Sequence, residues 1–331
     1  LIANYSLSKS LINDVLRWDV PTKTMRPFVS IWIALITVYL VWGSTYFGIA
    51  LVIKTAPPLL SMGFRFSAAA IILGIALIIL KGKKALVVSH SELLSSIFLG
   101  GLLLGFGLGN LTLAERYVPS GIAALIISAL PIWVTIFKRI AGIKTKRITL
   151  IGIFIGLIGV ALIVLPGGTG PAQGADPDKV NFWMFMVLIG NIAWAFGTFM
   201  TQRIPIPKDP FVLTAYEMLF GGIALTIGSY FNGERLSGNI ISDMSTTSKV
   251  AWIYLVLVGS IAGYGAYIWL LSNASLSLSS TYAYINPVIA VMLGVFFLAE
   301  PTGWPLFVGG AIVIMGVALV VSGEKITNLG Q

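Results

Sequence analysis

Residues 30–52 read SIWIALITVYLVWGSTYFGIALV, an apolar segment of 23 residues without a charged side chain. About 20 mostly apolar residues are needed for a helix to cross the hydrocarbon core of a bilayer. Nine further mostly apolar segments follow, at residues 59–80, 93–114, 119–138, 148–166, 182–202, 211–231, 250–271, 278–299 and 304–322. The pattern predicts an all-α polytopic membrane protein with ten transmembrane helices.

The composition agrees with a membrane protein. Of the 331 residues, 57% are hydrophobic and only 10% are charged, whereas a soluble domain has about a quarter of its residues charged. The formal net charge of +9 lies in short loops beside the spans, where it indicates orientation rather than a nucleic-acid partner. The chain contains no cysteine, which excludes disulfides and thiolate metal sites. We therefore predict no nucleic-acid partner, no metal and no other cofactor.

The basic residues predict the orientation of the spans. The chain has 21 Lys and Arg residues. If the amino terminus is cytoplasmic, 15 of them lie on the cytoplasmic side, 5 lie on the outer side, and Arg65 lies inside a predicted span. This bias predicts that both termini are cytoplasmic. Residues 1–27 are then a polar extension, 167–181 an outer loop and 323–331 a cytoplasmic tail. The extension is interpreted as a surface helix, as a poorly ordered segment, or as translated sequence upstream of a start at Met25.

The chain contains an internal repeat. Three residues recur at a constant offset of 152, so that Trp42, Pro58 and Arg65 match Trp194, Pro210 and Glu217. The segment GVALIV at 159–164 likewise recurs as GVALVV at 316–321. The two repeats, 28–166 and 182–322, hold five predicted spans each, so the second must enter the membrane from the opposite side. Such inverted repeats are typical of secondary transporters that bind substrate near the midplane.

Two charged residues lie inside predicted spans. Arg65 and Glu217 would each cost about 2.5–3.5 kcal/mol at a lipid-facing helix centre, which predicts that they face a cavity or a partner. The functional interpretation is a group that attracts anions, Arg65, and a protonatable carboxylate for proton coupling, Glu217. The structural interpretation is that each bonds to the backbone near a helix end.

Further residues are candidates for the substrate pathway. The aromatic candidates suit apolar or cationic solutes, and the asparagines suit polar groups, although helix packing explains each of them equally well. Prolines within the fourth and ninth spans predict breaks in those helices. Glycines on the third and fifth spans predict close helix contacts, and Glu115 and Glu300 are interpreted as interface charges. The pathway candidates are Trp42, Tyr46, Asn110, Pro131, Trp194, Tyr282 and Asn286, besides Arg65 and Glu217.

Several motifs are absent from the sequence. It contains no G-x-x-x-x-G-K-[ST] segment and no H-E-x-x-H segment, so it predicts neither ATP binding by a P-loop nor metalloprotease chemistry. We predict that the chain is not an enzyme and has no catalytic residues.

The motifs together resemble the EamA-type drug/metabolite transporters, in particular the YedA-like branch of ten-helix bacterial exporters. The resemblance covers roughly residues 28–322. The segments that carry it are YLVWGSTYFGI at 39–49, PP at 57–58, RF at 65–66, AERYVPSGIAALI at 114–126, GIKTKR at 142–147, AWAFGT at 193–198 and TYAYINPVIAVMLG at 281–294.

The resemblance implies a function. It implies export or exchange of small metabolites across the inner membrane by alternating access, through a cavity built by helices one to four and six to nine. The leading hypothesis is a carrier for small amphipathic metabolites, amino acids first and hydrophobic or cationic drugs second, with Arg65 attracting a carboxylate. The alternative is a channel-like facilitator without alternating access. Whether the protein is a monomer or a homodimer is left open.

Overall fold

The described part of the structure, a computed structural model, is helical. It comprises residues 28–164, 171–172, 175–234, 243–274, 279, 282–300 and 303–328, and these residues contain no strand. The predicted extension 1–27, part of the predicted loop 167–181 and residues 329–331 of the predicted tail lie outside this part. The all-helical prediction is therefore confirmed for the described residues.

Ten apolar helices follow one another along the chain. We number them α1 Phe28–Ile53, α2 Pro58–Lys81, α3 His90–Ala114, α4 Ser120–Ile140, α5 Arg147–Val164, α6 Val180–Thr201, α7 Pro210–Phe231, α8 Thr246–Asn273, α9 Tyr282–Leu298 and α10 Trp304–Asn328. Within the described residues, eight are long and apolar enough to cross a membrane, while α5 and α9 contribute shorter apolar stretches. Each helix overlaps one predicted span, which is consistent with the polytopic fold predicted from hydropathy.

Local sequence signals start several of these helices. Both α2 and α7 begin with a proline, Pro58 and Pro210. Proline is tolerated there because the backbone N–H of a first-turn residue has no acceptor within the helix. Asp209 caps α7 by accepting a hydrogen bond from the backbone N–H of Phe211 at 3.0 Å. Ser89 and Glu92 form a capping box at the start of α3, which satisfies two backbone donors reciprocally.

Glycines bring helix backbones into contact. Gly152 and Gly156 of α5 face Gly316 of α10, where an added Cβ would lie 2.5 Å from the Cα of Gly156. Gly63 of α2 and Gly222 of α7 meet in the same way, since a Cβ on Gly222 would lie 2.9 Å from the Gly63 carbonyl oxygen. Small residues that allow backbones to approach are typical of helix packing in lipid. The predicted contact role of the α5 glycines is confirmed. On α3 the prediction fails at Gly101, where an added Cβ would meet nothing within 4 Å.

Three helices depart from regular α geometry. The segments Gly100–Leu108 of α3 and Leu255–Tyr264 of α8 are π-helical, and π-helical turns occur frequently at functional sites. The fourth helix is interrupted after Ile127 and resumes at Leu130. Pro131 lies in the first turn of the resumed segment because it cannot donate a hydrogen bond to the preceding turn. The predicted break in the fourth span is therefore present at Pro131, whereas the break predicted for the ninth span is absent, because α9 continues through Pro287.

A carboxylate of the second repeat caps a helix of the first. Glu300 accepts hydrogen bonds from the backbone N–H groups of Ser120 (2.8 Å) and Gly121 (3.2 Å) at the start of α4. Its neighbour Ala299 has φ 52°, a conformation that is uncommon for residues other than glycine. The interpretation of Glu300 as a simple interface charge is wrong, because its carboxylate satisfies helix donors that would otherwise lack a partner.

Glu234 makes a second contact of this kind. Its two carboxylate oxygens accept hydrogen bonds from the backbone N–H groups of Leu59 (3.2 Å) and Leu60 (2.9 Å) at the start of α2. At the opposite end of the α2–α7 pair, Lys81 forms an ion pair with Asp209. Cross-repeat polar contacts thus hold both ends of this pair.

We expect Glu300→Gln to lower the free energy of unfolding by about 1–2 kcal/mol, since a neutral amide loses the attraction between the carboxylate and the helix N-terminus. Thermal unfolding in detergent, followed by tryptophan fluorescence, measures the change. Asp178→Asn, which neutralises an exposed carboxylate, serves as the control and should leave the melting temperature unchanged. Equal melting temperatures for Glu300→Gln and the unmodified protein would contradict the capping role.

Candidate functional site

A cavity lies between the helices of the two repeats. Its lining comes from α1, α2, α3, α4, α6, α8 and α9, and its volume is about 70 Å³, several times what one water molecule requires. Five of the residues predicted for the pathway line it: Trp42, Tyr46, Arg65, Trp194 and Tyr282. Trp42 and Tyr46 lie one turn apart on α1, and the tertiary structure brings them together with the other three, which come from three different helices.

An aromatic cluster lies at one side of the cavity and is formed by Trp42, Trp194, Tyr264, Tyr267 and Tyr282. All of its members except Tyr267 line the cavity. The Trp42 ring centroid lies 4.8 Å from that of Tyr267 and 5.2 Å from that of Tyr282. The Trp42 and Trp194 rings meet edge to face at 5.9 Å and 87°. Such edge-to-face contacts add about 0.5–1.5 kcal/mol to the effect of burial. The cluster therefore offers a firm apolar surface.

Tyr264 and Tyr267 were not among the residues predicted from sequence. Both are buried on α8, and Tyr264 also lines the cavity. The sequence holds a signal for Tyr264 only, which lies inside a glycine motif that recurs in the two repeats. The motif consists of Gly101, Gly105 and Gly107 in the first repeat and Gly259, Gly263 and Gly265 in the second. An added Cβ on Gly263 would lie 2.9 Å from Nε1 of Trp42. The glycine therefore makes room for the cluster.

Arg65 occupies another wall of the cavity and is only 3% exposed. Its Nε donates hydrogen bonds to Oγ of Ser260 (2.9 Å) and to the carbonyl oxygen of Leu255 (3.2 Å), both on α8. Its guanidinium carbon lies 4.6 Å from the centroid of the Phe66 ring. Among the described residues, the hydrogen bonds of Arg65 go to neutral groups, and the buried Glu115 lies within electrostatic range without a hydrogen bond to it. The guanidinium group can therefore still donate charge-assisted hydrogen bonds to an anionic ligand.

Space for Arg65 depends on Gly259. A Cβ at this position would lie 3.0 Å from Nη2 of Arg65 and 3.1 Å from Cγ2 of Thr45. A larger residue would therefore push the guanidinium group or move α1 away. Both glycines of α8 near the cavity, Gly259 and Gly263, make room for side chains of the site.

Glu217 lies behind the cavity wall rather than on it. Its side chain is fully buried, and its Oε2 accepts a hydrogen bond of 2.7 Å from the Tyr264 hydroxyl. Its other oxygen, Oε1, has no hydrogen-bond partner in the described part of the structure. The expectation that Glu217 reaches the pathway is met only through Tyr264, because that tyrosine touches both the cavity and the carboxyl group.

Glu115 is buried, contrary to its interpretation as an interface charge. The residue is 6% exposed, and both its carboxylate oxygens lack a hydrogen-bond partner among the described residues. It lies within electrostatic range of Arg65, Tyr46 and Glu300. The end of α3 packs inside the protein, which is why this charge does not reach the surface.

The remaining predicted residues do not line the cavity. Asn110 donates a hydrogen bond to the carbonyl oxygen of Phe106 one turn earlier (3.0 Å). With its nitrogen turned towards them, the Asn286 amide reaches the carbonyl oxygens of Tyr39 (3.1 Å) and Tyr282 (3.2 Å). Pro131 is buried in α4. These contacts are with backbone and neighbouring helices, as the packing interpretation expects.

Asn191, one of the asparagines within the predicted spans, lines the cavity. Its amide donates a hydrogen bond to the carbonyl oxygen of Ile126 (3.0 Å), just before α4 is interrupted. This bond satisfies a carbonyl near the break, as backbone groups in an apolar environment require.

The site combines three chemical features. A buried guanidinium group can bind a carboxylate, the aromatic cluster can hold an apolar or cationic group, and the Glu217–Tyr264 pair can hold a proton. The described residues contain no group of three or more His, Cys, Asp or Glu placed to hold a metal ion. The arrangement suits binding of an amphipathic solute.

Comparisons with known proteins agree with this architecture. The EamA-like transporter family matches residues 29–165 and again 181–322. The chain is 37% identical over 301 residues to the uncharacterized inner membrane transporter YedA of Escherichia coli (strain K12), covering 90% of this chain and 93% of that protein. It is 26% identical to an uncharacterized transporter of Archaeoglobus fulgidus, covering 88% and 98%.

A solved crystal structure shows the same fold. It aligns with a TM-score of 0.62 at 18% sequence identity, covering 90% of this chain and 99% of the other. The two family matches correspond to two successive copies of one unit, which agrees with the repeat found in the sequence.

Proposed function

Because the chain belongs to the EamA-like transporter family, we propose that this membrane transporter is a secondary carrier for small amphipathic metabolites. Amino acids are the first candidate substrates, and hydrophobic or cationic drugs the second. The observation that carries this proposal is the buried guanidinium group of Arg65 in the same cavity as the aromatic cluster. A carboxylate and an apolar side chain would find complementary partners there.

Alternating access is the proposed mechanism. The cavity is lined by residues of both halves of the chain, and inverted repeats that rock about a central site are a common basis of alternating access. Glu300 caps α4 and Glu234 caps α2 across the two repeats. These contacts would have to change as the two halves move. The direction we propose is export or exchange.

The proposed location is the inner membrane, with both termini cytoplasmic. The name of the Escherichia coli relative supports the location, and the distribution of Lys and Arg supports the orientation. The partners we propose are a small-molecule solute and the lipid bilayer, with no catalytic step.

Glu217 is the proposed proton-coupling residue. A fully buried carboxylate with one unpartnered oxygen is costly as an anion. Protonation removes that cost, so the charge state of Glu217 can be linked to the occupancy of the cavity.

Counterflow in liposomes tests the proposal. The full chain is reconstituted, loaded with unlabelled solute, and given labelled amino acids, a nucleoside or a lipophilic cation outside. A carrier should show saturable uptake that is stimulated by solute on the far side. Uptake that rises without saturation and ignores the far side would replace the carrier with a channel-like facilitator.

Trp42→Ala should raise the half-saturating concentration of apolar amino acids roughly tenfold, because the central ring of the aromatic cluster is lost. The same counterflow assay over a concentration series gives this value. Trp32→Ala provides the control, since Trp32 lies on the same helix with 40% of its surface exposed. If the two variants behave alike, Trp42 does not contact the solute.

A further inference from the structure

The geometry around Glu217 poses a problem of access. The carboxyl group is fully buried and does not line the cavity. A buried group can exchange protons with the pathway only through polar atoms that connect the two. Its connection must therefore be found among its hydrogen-bond partners.

Tyr264 is the residue that makes this connection. Its hydroxyl donates a 2.7 Å hydrogen bond to Oε2 of Glu217, and its side chain lines the cavity. The residue lies at the end of the π-helical segment Leu255–Tyr264. That segment also holds Ser260, which bonds to Arg65, so one stretch of α8 contacts both charged residues.

The surroundings of Glu217 offer no better route within the described residues. Two tyrosines of α8, Tyr264 and Tyr267, are the titratable groups that interact with it. The hydroxyl groups of Tyr267 and Thr198 form a 2.9 Å hydrogen bond with each other. Tyr267 does not line the cavity. From α3, the backbone of Glu217 is met by Gly100, which has no side chain to carry a proton.

We propose that the Tyr264 hydroxyl relays protons between the cavity and the buried Glu217 carboxyl group. A proton from the cavity bonds to Oη of Tyr264 as the proton already on that oxygen moves to Oε2 of Glu217. The tyrosine is neutral before and after the transfer, and Glu217 changes from carboxylate to carboxylic acid. Release follows the reverse path. The inference rests on the proton role of Glu217 proposed above.

Infrared difference spectroscopy tests the relay without a transport assay. The full chain in lipid is titrated, and the band of the protonated Glu217 carboxyl group is identified by its loss in Glu217→Gln. Its exchange after transfer to heavy water is then timed. We expect Tyr264→Phe to slow this exchange roughly 10²-fold, the lower end of what a positioned proton-transfer group contributes.

Tyr267→Phe is the matched control, since it removes a hydroxyl from the same helix without touching the Glu217 hydrogen bond. It should leave the exchange rate unchanged. An unchanged rate in Tyr264→Phe would overturn the relay, as would the finding that Glu217→Gln removes no carboxyl band at any pH. Because phenylalanine keeps the ring in the aromatic cluster, thermal melting of each variant separates folding from proton transfer.

Transport measurements separate this inference from the carrier proposal. Uptake driven by a pH gradient requires Glu217 to gain and lose a proton in every cycle, whereas counterflow moves no net proton. Tyr264→Phe should therefore lower gradient-driven uptake much more than it lowers counterflow, while a change that only disturbs binding should lower both equally. The double variant Tyr264→Phe/Glu217→Gln should lose as much gradient-driven uptake as either single variant, since the effects of two residues that act in one step are not additive. Slowed exchange together with a lack of counterflow in the unmodified protein would uphold the relay and reject the carrier. Preserved gradient-driven uptake in Tyr264→Phe would reject the relay alone.

Discussion

Arg65→Met is expected to reduce counterflow of carboxylate-bearing solutes by roughly 10²-fold, because removal of one partner from a buried charge pair costs about 2–5 kcal/mol. Arg65 is 3% exposed, and its hydrogen bonds go to neutral groups of α2 and α8. The buried Glu115 acts on it through the electrostatic field without a hydrogen bond, so a bound carboxylate would be the anion that hydrogen-bonds to the guanidinium group. Counterflow of a labelled amino acid in liposomes, over a range of concentrations, measures the loss.

Two further variants separate binding from folding. Arg65→Lys keeps the positive charge but loses the planar donors, so its activity should fall between those of Arg65→Met and the unmodified protein. Ser260→Ala removes one acceptor of the guanidinium group and should cause a smaller, severalfold loss. Both variants are compared at equal amounts of folded protein, judged by size-exclusion chromatography.

The choice of solute supplies the sharpest control. A lipophilic cation has no carboxylate, so Arg65→Met should not reduce its counterflow. Lys54→Met, which removes an exposed charge between α1 and α2, should leave both solutes unaffected. If Arg65→Met lowered the flux of both solutes equally, the residue would be structural and the proposed carboxylate contact would be wrong.

Gly316→Val should prevent the protein from accumulating in folded form. A Cβ at this position would lie 2.5 Å from the Cα of Gly156 and 2.7 Å from the carbonyl oxygen of Gly152. These atoms belong to the backbone of α5 and cannot rotate away, so α5 and α10 would have to separate. Overpacking of side chains already costs about 1–3 kcal/mol, and a clash with backbone costs more.

Gly316→Ala tests the same contact more gently and should lower the melting temperature in detergent. Gly74→Ala is the matched control, because an added Cβ at this position of α2 meets nothing within 4 Å. Alanine is favoured over glycine in a helix by about 0.5–1 kcal/mol, so the control should be slightly stabilised. Melting temperatures that shift in opposite directions for the two variants support the α5–α10 contact, whereas equal shifts in melting temperature would contradict it.

The helices could be predicted from the sequence because hydropathy is a local property. A segment such as 30–52 must be buried in lipid or protein whatever its neighbours do, and the same holds for the other nine spans. The recurrence of Trp42 and Arg65 as Trp194 and Glu217 also lies in the sequence alone, since a repeat needs no coordinates. The cost of burying a charge likewise predicted that Arg65 faces a cavity or a partner.

Tertiary structure decided towards which neighbours each side chain points. Tyr264 and Tyr267 cannot be told from packing aromatics within an apolar span, and only the rotation of α8 places them beside Trp42. Glu217 was predicted to line the pathway, but the packing of α7 against α3 places it behind Tyr264. When a helix is apolar on all sides, its hydropathy pattern does not specify how the helix is rotated about its own axis.

The charges at helix ends show the same limit. Glu115 and Glu300 follow apolar spans, a position that in sequence indicates the membrane interface. In the structure Glu115 is buried and Glu300 caps α4 from the other repeat. Sequence determined the spans, the repeat and the charge at Arg65, because each follows from local composition or from comparison of the chain with itself. Tertiary structure alone decided which polar groups meet, because hydrogen bonds between distant helices depend on how those helices pack.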